Sequence, residues 1–132
     1  MKKSGILNKD LNTLIASLGH KDTIIICDAG LPIPDEAQRI ELAFQEGVPG
    51  QLEVVKAVLD TIVVEAAVMA NESKTVSPKM HEDILALLPK DVPVSYVDHV
   101  DFKEMSKHCK GIIRTGEFTP YSNVLLVCGC AY

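Results

Sequence analysis

Two groups of polar residues in this chain have the side chains that proton transfer needs. His20 follows the spaced apolar residues Leu11, Leu14, Ile15 and Leu18, and Asp28 closes the apolar run Thr23-Ile24-Ile25-Ile26-Cys27. The first spacing is helical, so His20 is expected just past a helix C-terminus, where the macrodipole favours an imidazolium by about 0.3–1 kcal/mol. Asp28 is expected where a strand stops, and a short turn between helix and strand could return both side chains to one edge. A carboxylate beside an imidazolium holds and orients it, so the pair would form a proton donor with its orienter. A plainer reading of the same residues stays open: His20 caps its helix, and Asp28 caps the amides of Ala29 and Gly30.

The second group is Arg114-Thr115-Gly116-Glu117-Phe118-Thr119-Pro120-Tyr121-Ser122-Asn123, a polar loop broken by Gly and Pro between two apolar runs. Loops of this kind on a rigid sheet hold ligands. The Tyr121 phenol and Asn123 amide offer the mixed donors and acceptors that sugar hydroxyls require, although an ordinary connecting loop reads the same way. His99 follows the apolar run at 94–97, again at a strand's end, whereas His81 and His108 are expected on the surfaces of helices. Cys128 and Cys130 are separated by one residue, a poor disulfide geometry, and no histidine cluster accompanies them, so core thiols are expected there. No GxSxG, GxGxxG, Walker or HExxH pattern occurs, which leaves hydrolase, dehydrogenase and kinase chemistry without visible machinery.

These residues need a scaffold, and its class follows from periodicity. The 132 residues suit a single domain spanning 1–132, and 47% hydrophobic with 23% charged residues is a globular composition. Helices are expected over 11–18, with Asn8 or Asp10 as N-cap and Gly19 as C′ residue, over 52–62, from Ser77 as N-cap and Pro78 as N1 to Leu88, and over 102–108. Strands are expected over 23–27, 39–44, 63–70, 94–97, 111–113 and 124–127. The segment 29–34, with Pro32 and Pro34, is a stiff loop. Alternation at this density argues an α/β fold: one three-layer domain, a largely parallel sheet with helices on both faces, and sites beyond the carboxyl ends of the strands.

Charge and composition exclude whole classes of partner. A net charge of −5 repels a phosphate backbone, so no nucleic acid is expected. The longest apolar run, 62–70, is broken by Glu65 and is too short to span a membrane. Asn8, Lys9, Asp10 and Asn12 leave no apolar core for a signal peptide after Lys2 and Lys3, so export is not expected. Four cysteines without zinc or disulfide spacing fit free thiols in a reducing cytoplasm.

Taken together, Met1-Lys2-Lys3, Gly5, Leu7-Asn8, Leu18-Gly19-His20, Cys27-Asp28-Ala29-Gly30-Leu31-Pro32-Ile33-Pro34, Ile113-Arg114-Thr115-Gly116-Glu117 and Pro120-Tyr121-Ser122-Asn123 closely resemble the D-ribose pyranase family, the ribose arm of the ribose and fucose mutarotases. The likeness runs nearly the whole chain, with Ser122 standing where alanine is usual and a Cys-rich tail in place of a small or aliphatic ending. The resemblance implies His20 as proton donor, and Asp28, His99, Tyr121, Ser122 and Asn123 as sugar contacts. It implies interconversion of pyranose and furanose ribose with no cofactor or metal. It further implies rings of five paired into decamers, with sites at subunit contacts. The same reaction on another sugar such as fucose, or a non-catalytic sugar-binding accessory of uptake, are the alternatives.

Overall fold

The computed structural model describes all residues, 1–132. Its first helix begins where the sequence places a cap: the Asn8 side chain accepts the Leu11 amide at 2.9 Å and opens α1 (Lys9–Ser17), which buries Leu11 and Leu14. Leu18 then turns extended, and the left-handed residue that follows is Lys21, at φ 71°, not the expected Gly19. The chain continues into β1 (Thr23–Cys27), β2 (Arg39–Glu41), α2 (Gln51–Leu59), β3 (Val64–Ala70), α3 (Ser73–Val76), α4 (Pro78–Leu87), β4 (Val94–Val97), α5 (His99–Ser106), β5 (Gly111–Arg114) and β6 (Val124–Cys128).

The six strands form one sheet in the order β2-β5-β1-β6-β3-β4. All run the same way except β6, which pairs antiparallel with both β1 and β3. The expected largely parallel sheet is therefore present, with one reversed strand in its middle.

Alternation along the central strands divides the core in two, as period-2 side chains require. Ile24, Ile26, Ile113, Val124 and Leu126 face the layer of α1, α2 and α4, where Leu14, Val54, Val55, Val58 and Ile84 meet them. Ile25, Cys27, Ile112 and Leu125 face Phe102 of α5 and the loop residues Leu31 and Ile33. Helices thus cover both faces. The α1 layer sits so close that a Cβ at Gly111 would come within 2.6 Å of a Leu14 methyl, which explains a glycine at the start of β5.

Several expected boundaries move. β2 stops at Glu41, where the chain turns toward a Gln45–Val48 bridge that precedes a cis Val48–Pro49 bond. α2 ends at Leu59, leaving Ile62 in the turn to β3. The short α3 has no apolar periodicity in sequence and was not expected. α5 starts at His99, three residues early, and ends at Ser106. Ser77 does precede Pro78, but its hydroxyl donates to the Pro120 carbonyl at 2.6 Å instead of capping α4.

Candidate functional site

At the end of the sheet where β1, β4 and β5 terminate lies an open cleft of about 490 Å³, lined by Asp28, Ala29, Gly30, Leu31, His99, Glu117, Phe118, Pro120 and Tyr121. This is the position where open α/β sheets hold ligands.

Asp28 sits at the cleft's floor, only 8% exposed. Its amide donates to Asn123 Oδ1 at 2.9 Å and its carboxylate accepts the Gly30 amide at 3.0 Å. Burial pushes its pKa above the ordinary carboxylate value, with the amides of Gly30 and Leu31, the Asn123 side chain and His99 opposing. Asp28 is thus a stronger base than an exposed aspartate.

His99 faces the same cleft from the first turn of α5. Both oxygens of Glu72 accept its backbone amide at 3.0 Å, so a glutamate from α3's threshold caps the helix that carries the imidazole. The ring stacks over Phe102 at 6.4 Å and meets the edge of Tyr121 at 4.9 Å. Burial lowers its pKa, helped by Lys103 and opposed by Glu72 and Asp28, so the ring is neutral at neutral pH. Its Nδ1 is buried and has no hydrogen-bond partner.

The 114–123 loop is held by a buried polar network that the sequence reading did not single out. Gln51, fully buried at the start of α2, donates through Nε2 to the carbonyls of Ile26 at 3.0 Å and Ser122 at 2.7 Å. The Thr115 hydroxyl donates to the Cys27 carbonyl at 2.9 Å and lies 3.2 Å from Gln51 Oε1. Glu117 accepts the Gln51 amide at 3.2 Å and the Thr119 amide and hydroxyl at 3.0 and 2.8 Å. Burial works against its charge, yet bonds from Thr119, Gln51 and Phe118 bring its carboxyl below the ordinary value. A lone glutamine before an apolar helix gives no sequence signal of this role.

On this frame Tyr121 is held at φ 57°, a left-handed conformation that bulky residues rarely adopt. Ser122 and Asn123 are wholly buried behind it, and Ser122 Oγ and Asn123 Nδ2 lack partners. The structure therefore brings Asp28, His99 and Tyr121 to one cleft, with Ser122 and Asn123 behind its wall.

It does not bring His20. The expected pairing of His20 with Asp28 in one chain fails because β1 lies between them, and five strand residues span about 17 Å. His20 stands at the opposite end of the sheet, half exposed, with Nε2 3.0 Å from Glu65 Oε2 on β3. The other Glu65 oxygen is paired with the Lys21 ammonium. Around His20 runs a shallow groove of about 340 Å³ whose apolar lining includes Ile15, Leu18, Ile62, Val63 and Tyr132.

His81, expected on a helix surface, is half-buried with Nε2 2.9 Å from the Tyr96 hydroxyl. His108 is exposed in the turn after α5, and Cys27, Cys109 and Cys128 are buried free thiols with Cys130 half-buried.

Comparison with known proteins places these features. Residues 1–131 match the model of the RbsD / FucU transport protein family. A D-ribose pyranase of Geobacillus thermodenitrificans is 56% identical, covering 98% of this chain and 97% of that protein, and one of Aliivibrio fischeri is 46% identical over the full length of both. The structure of Bacillus subtilis RbsD complexed with D-ribose superposes with a TM-score of 0.95 at 38% identity over all of both chains. A fucose mutarotase from Streptococcus pneumoniae, in complex with L-fucose, shares the fold at a TM-score of 0.76 and 24% identity, covering 96% of this chain and 95% of that one. With a family match over nearly every residue and relatives alike from end to end, this chain belongs to the RbsD/FucU family.

Proposed function

We propose that this protein is a D-ribose pyranase, an isomerase that interconverts the pyranose and furanose forms of ribose by opening and reclosing the sugar ring. The observation that carries the reading is the 56% identity, spread over 98% of the chain, to a D-ribose pyranase. The cleft supplies chemistry that suits the substrate: a desolvated carboxylate, a neutral imidazole and a phenol at one small opening, where a sugar presents only hydroxyls.

His20 is the proposed proton donor, and Asp28, His99, Tyr121, Ser122 and Asn123 the proposed sugar-binding residues. In ring opening, the His20 imidazolium gives its proton to the ring oxygen as the bond from that oxygen to the anomeric carbon breaks. The anomeric hydroxyl loses its proton to a base lining the cleft, Asp28 or His99, and becomes the carbonyl. Reclosure through a different hydroxyl moves the protons back, so nothing is consumed and no cofactor or metal enters the scheme. A positioned acid contributes roughly 10²–10⁴-fold, enough for a reaction that already proceeds in water.

Since β1 separates His20 from the cleft of its own chain, the donor in each site comes from a neighbouring copy. The apolar groove around His20 and the exposed Phe118 at the cleft's rim are surfaces such a contact would cover. We assign the assembly as a homo-oligomer, a decamer of two five-membered rings, working in the cytoplasm. No helix is long and apolar enough to cross a membrane.

Saturation-transfer NMR on an equilibrium ribose mixture tests this. Exchange between pyranose and furanose signals should accelerate with the native protein and fall by about 10²–10⁴-fold in His20→Ala with ribose still bound. Unaccelerated exchange with the native protein leaves the sugar-binding accessory, and preference for fucose run in parallel reassigns the substrate.

A further inference from the structure

We propose that Glu65 is the positioning residue for His20, fixing the hydrogen on Nε2 so that the proton exchanged with the sugar is carried on Nδ1. The inference rests on His20 being the donor and adds which nitrogen acts and what sets it.

The chain builds the contact from three sides. The turn before β1 is pinned by Gly19 donating to Asp22 Oδ2 at 2.8 Å, and the Lys21 amide donates to the Cys128 carbonyl at 2.9 Å. Lys21 adopts its left-handed conformation there, and its ammonium pairs with Glu65 beside the imidazole. Glu65 projects from β3 past Gly129, where an added Cβ would stand 3.3 Å from the Glu65 Cβ and 3.1 Å from Val63 Cγ1. A glycine at 129 leaves the glutamate stem its path.

The tautomer follows from charge. The Lys21 ammonium, against desolvation and with help from His20, keeps the Glu65 carboxyl below the ordinary value. An ionised carboxylate has only acceptors, so the Nε2 that meets it at 3.0 Å must carry hydrogen. A neutral imidazole with hydrogen on Nε2 has its lone pair on Nδ1; an imidazolium has its transferable proton there. Asp28, the orienter expected from sequence, lies at the far end of β1, and Glu65 occupies that office.

The test is long-range ¹H–¹⁵N correlation on assembled protein labelled with ¹⁵N-histidine, the His20 signals identified by their loss in His20→Gln. At a pH where the ring is neutral, native His20 should show a pyrrole-type Nε2 and a pyridine-type Nδ1. In Glu65→Ala the two tautomers should mix, and kcat should drop about tenfold or more with KM little changed, short of the loss on removing the acid itself. Glu65→Gln, whose amide oxygen still accepts, should recover part of both. A native ring with hydrogen on Nδ1, or a tautomer unmoved by Glu65→Ala, overturns the proposal. The native spectrum decides even where a variant fails to fold. Survival of ribose exchange in His20→Ala would count instead against His20 as donor, and leaves the tautomer result readable.

Discussion

The Asp28 carboxyl is held in a place that burial makes unfavourable for its charge, and this has a cost that can be measured. A carboxyl whose pKa is higher folded than unfolded favours the folded state below its unfolded pKa, and that advantage is lost as pH rises through the folded value. Asp28→Asn should therefore raise Tm at neutral pH while abolishing most ribose exchange, and the Tm difference should close as pH falls below the ordinary carboxylate range. Thermal melts across pH check it; a variant that is no more stable at pH 7 would mean the carboxylate's hydrogen bonds outweigh its burial. His99 is the complementary case, since a half-buried imidazole with a lowered pKa weakens the fold as acid charges it. In the sequence, the residue types at positions 20, 28, 99, 121 and 123 suggest proton-transfer and hydroxyl-binding chemistry, and the structure gathers 28, 99 and 121 at one cleft. Their partners were not legible. Glu65 is 45 positions from His20 and Glu72 is 27 from His99, so no local pattern announces either contact.

Among the elements, those with strong periodicity were read well: β1, β4, β5 and β6 lie within a residue of expectation and α1 within two, because an apolar face or run has only one way to be buried. Elements set by tertiary contact were not. α3 has no apolar stripe and follows directly on Glu72, which caps α5, while β2 is cut short where the chain leaves it for the Gln45–Val48 bridge. α2 and α5 do more than cover the sheet, since one delivers Gln51 and the other His99. Gln51→Leu removes two buried hydrogen bonds, to the carbonyls of Ile26 and Ser122, and should cost about 2–6 kcal/mol at roughly 1–3 per bond lost, read by chemical denaturation. It should also raise KM for ribose, since the loop that carries Tyr121 loses its tether. Phe102→Ala removes the fully buried ring beneath His99 and should cost about 3–5 kcal/mol.

At the scale of the whole molecule, the proposed function, with its donor and cleft at opposite ends of one sheet, requires a heterologous contact between copies, the kind that closes into rings. Two inactive variants should then repair each other. Co-assembled in equal amounts, His20→Ala and Asp28→Asn subunits should regain about a quarter of native activity by random assortment, since a site needs the intact half of each. Sites contained within one chain would give no recovery on mixing. The three-layer α/β class was legible because alternation dictates it; the reversed direction of β6 was not, because a short buried run reads alike in either sense. The place of β6 matters as much as its direction. β6 comes last along the chain yet lies fourth across the sheet, and without it β2-β5-β1 and β3-β4 share no hydrogen-bonded edge. One continuous sheet therefore exists only once the final strand lies between the other two groups, as a keystone joins the halves of an arch.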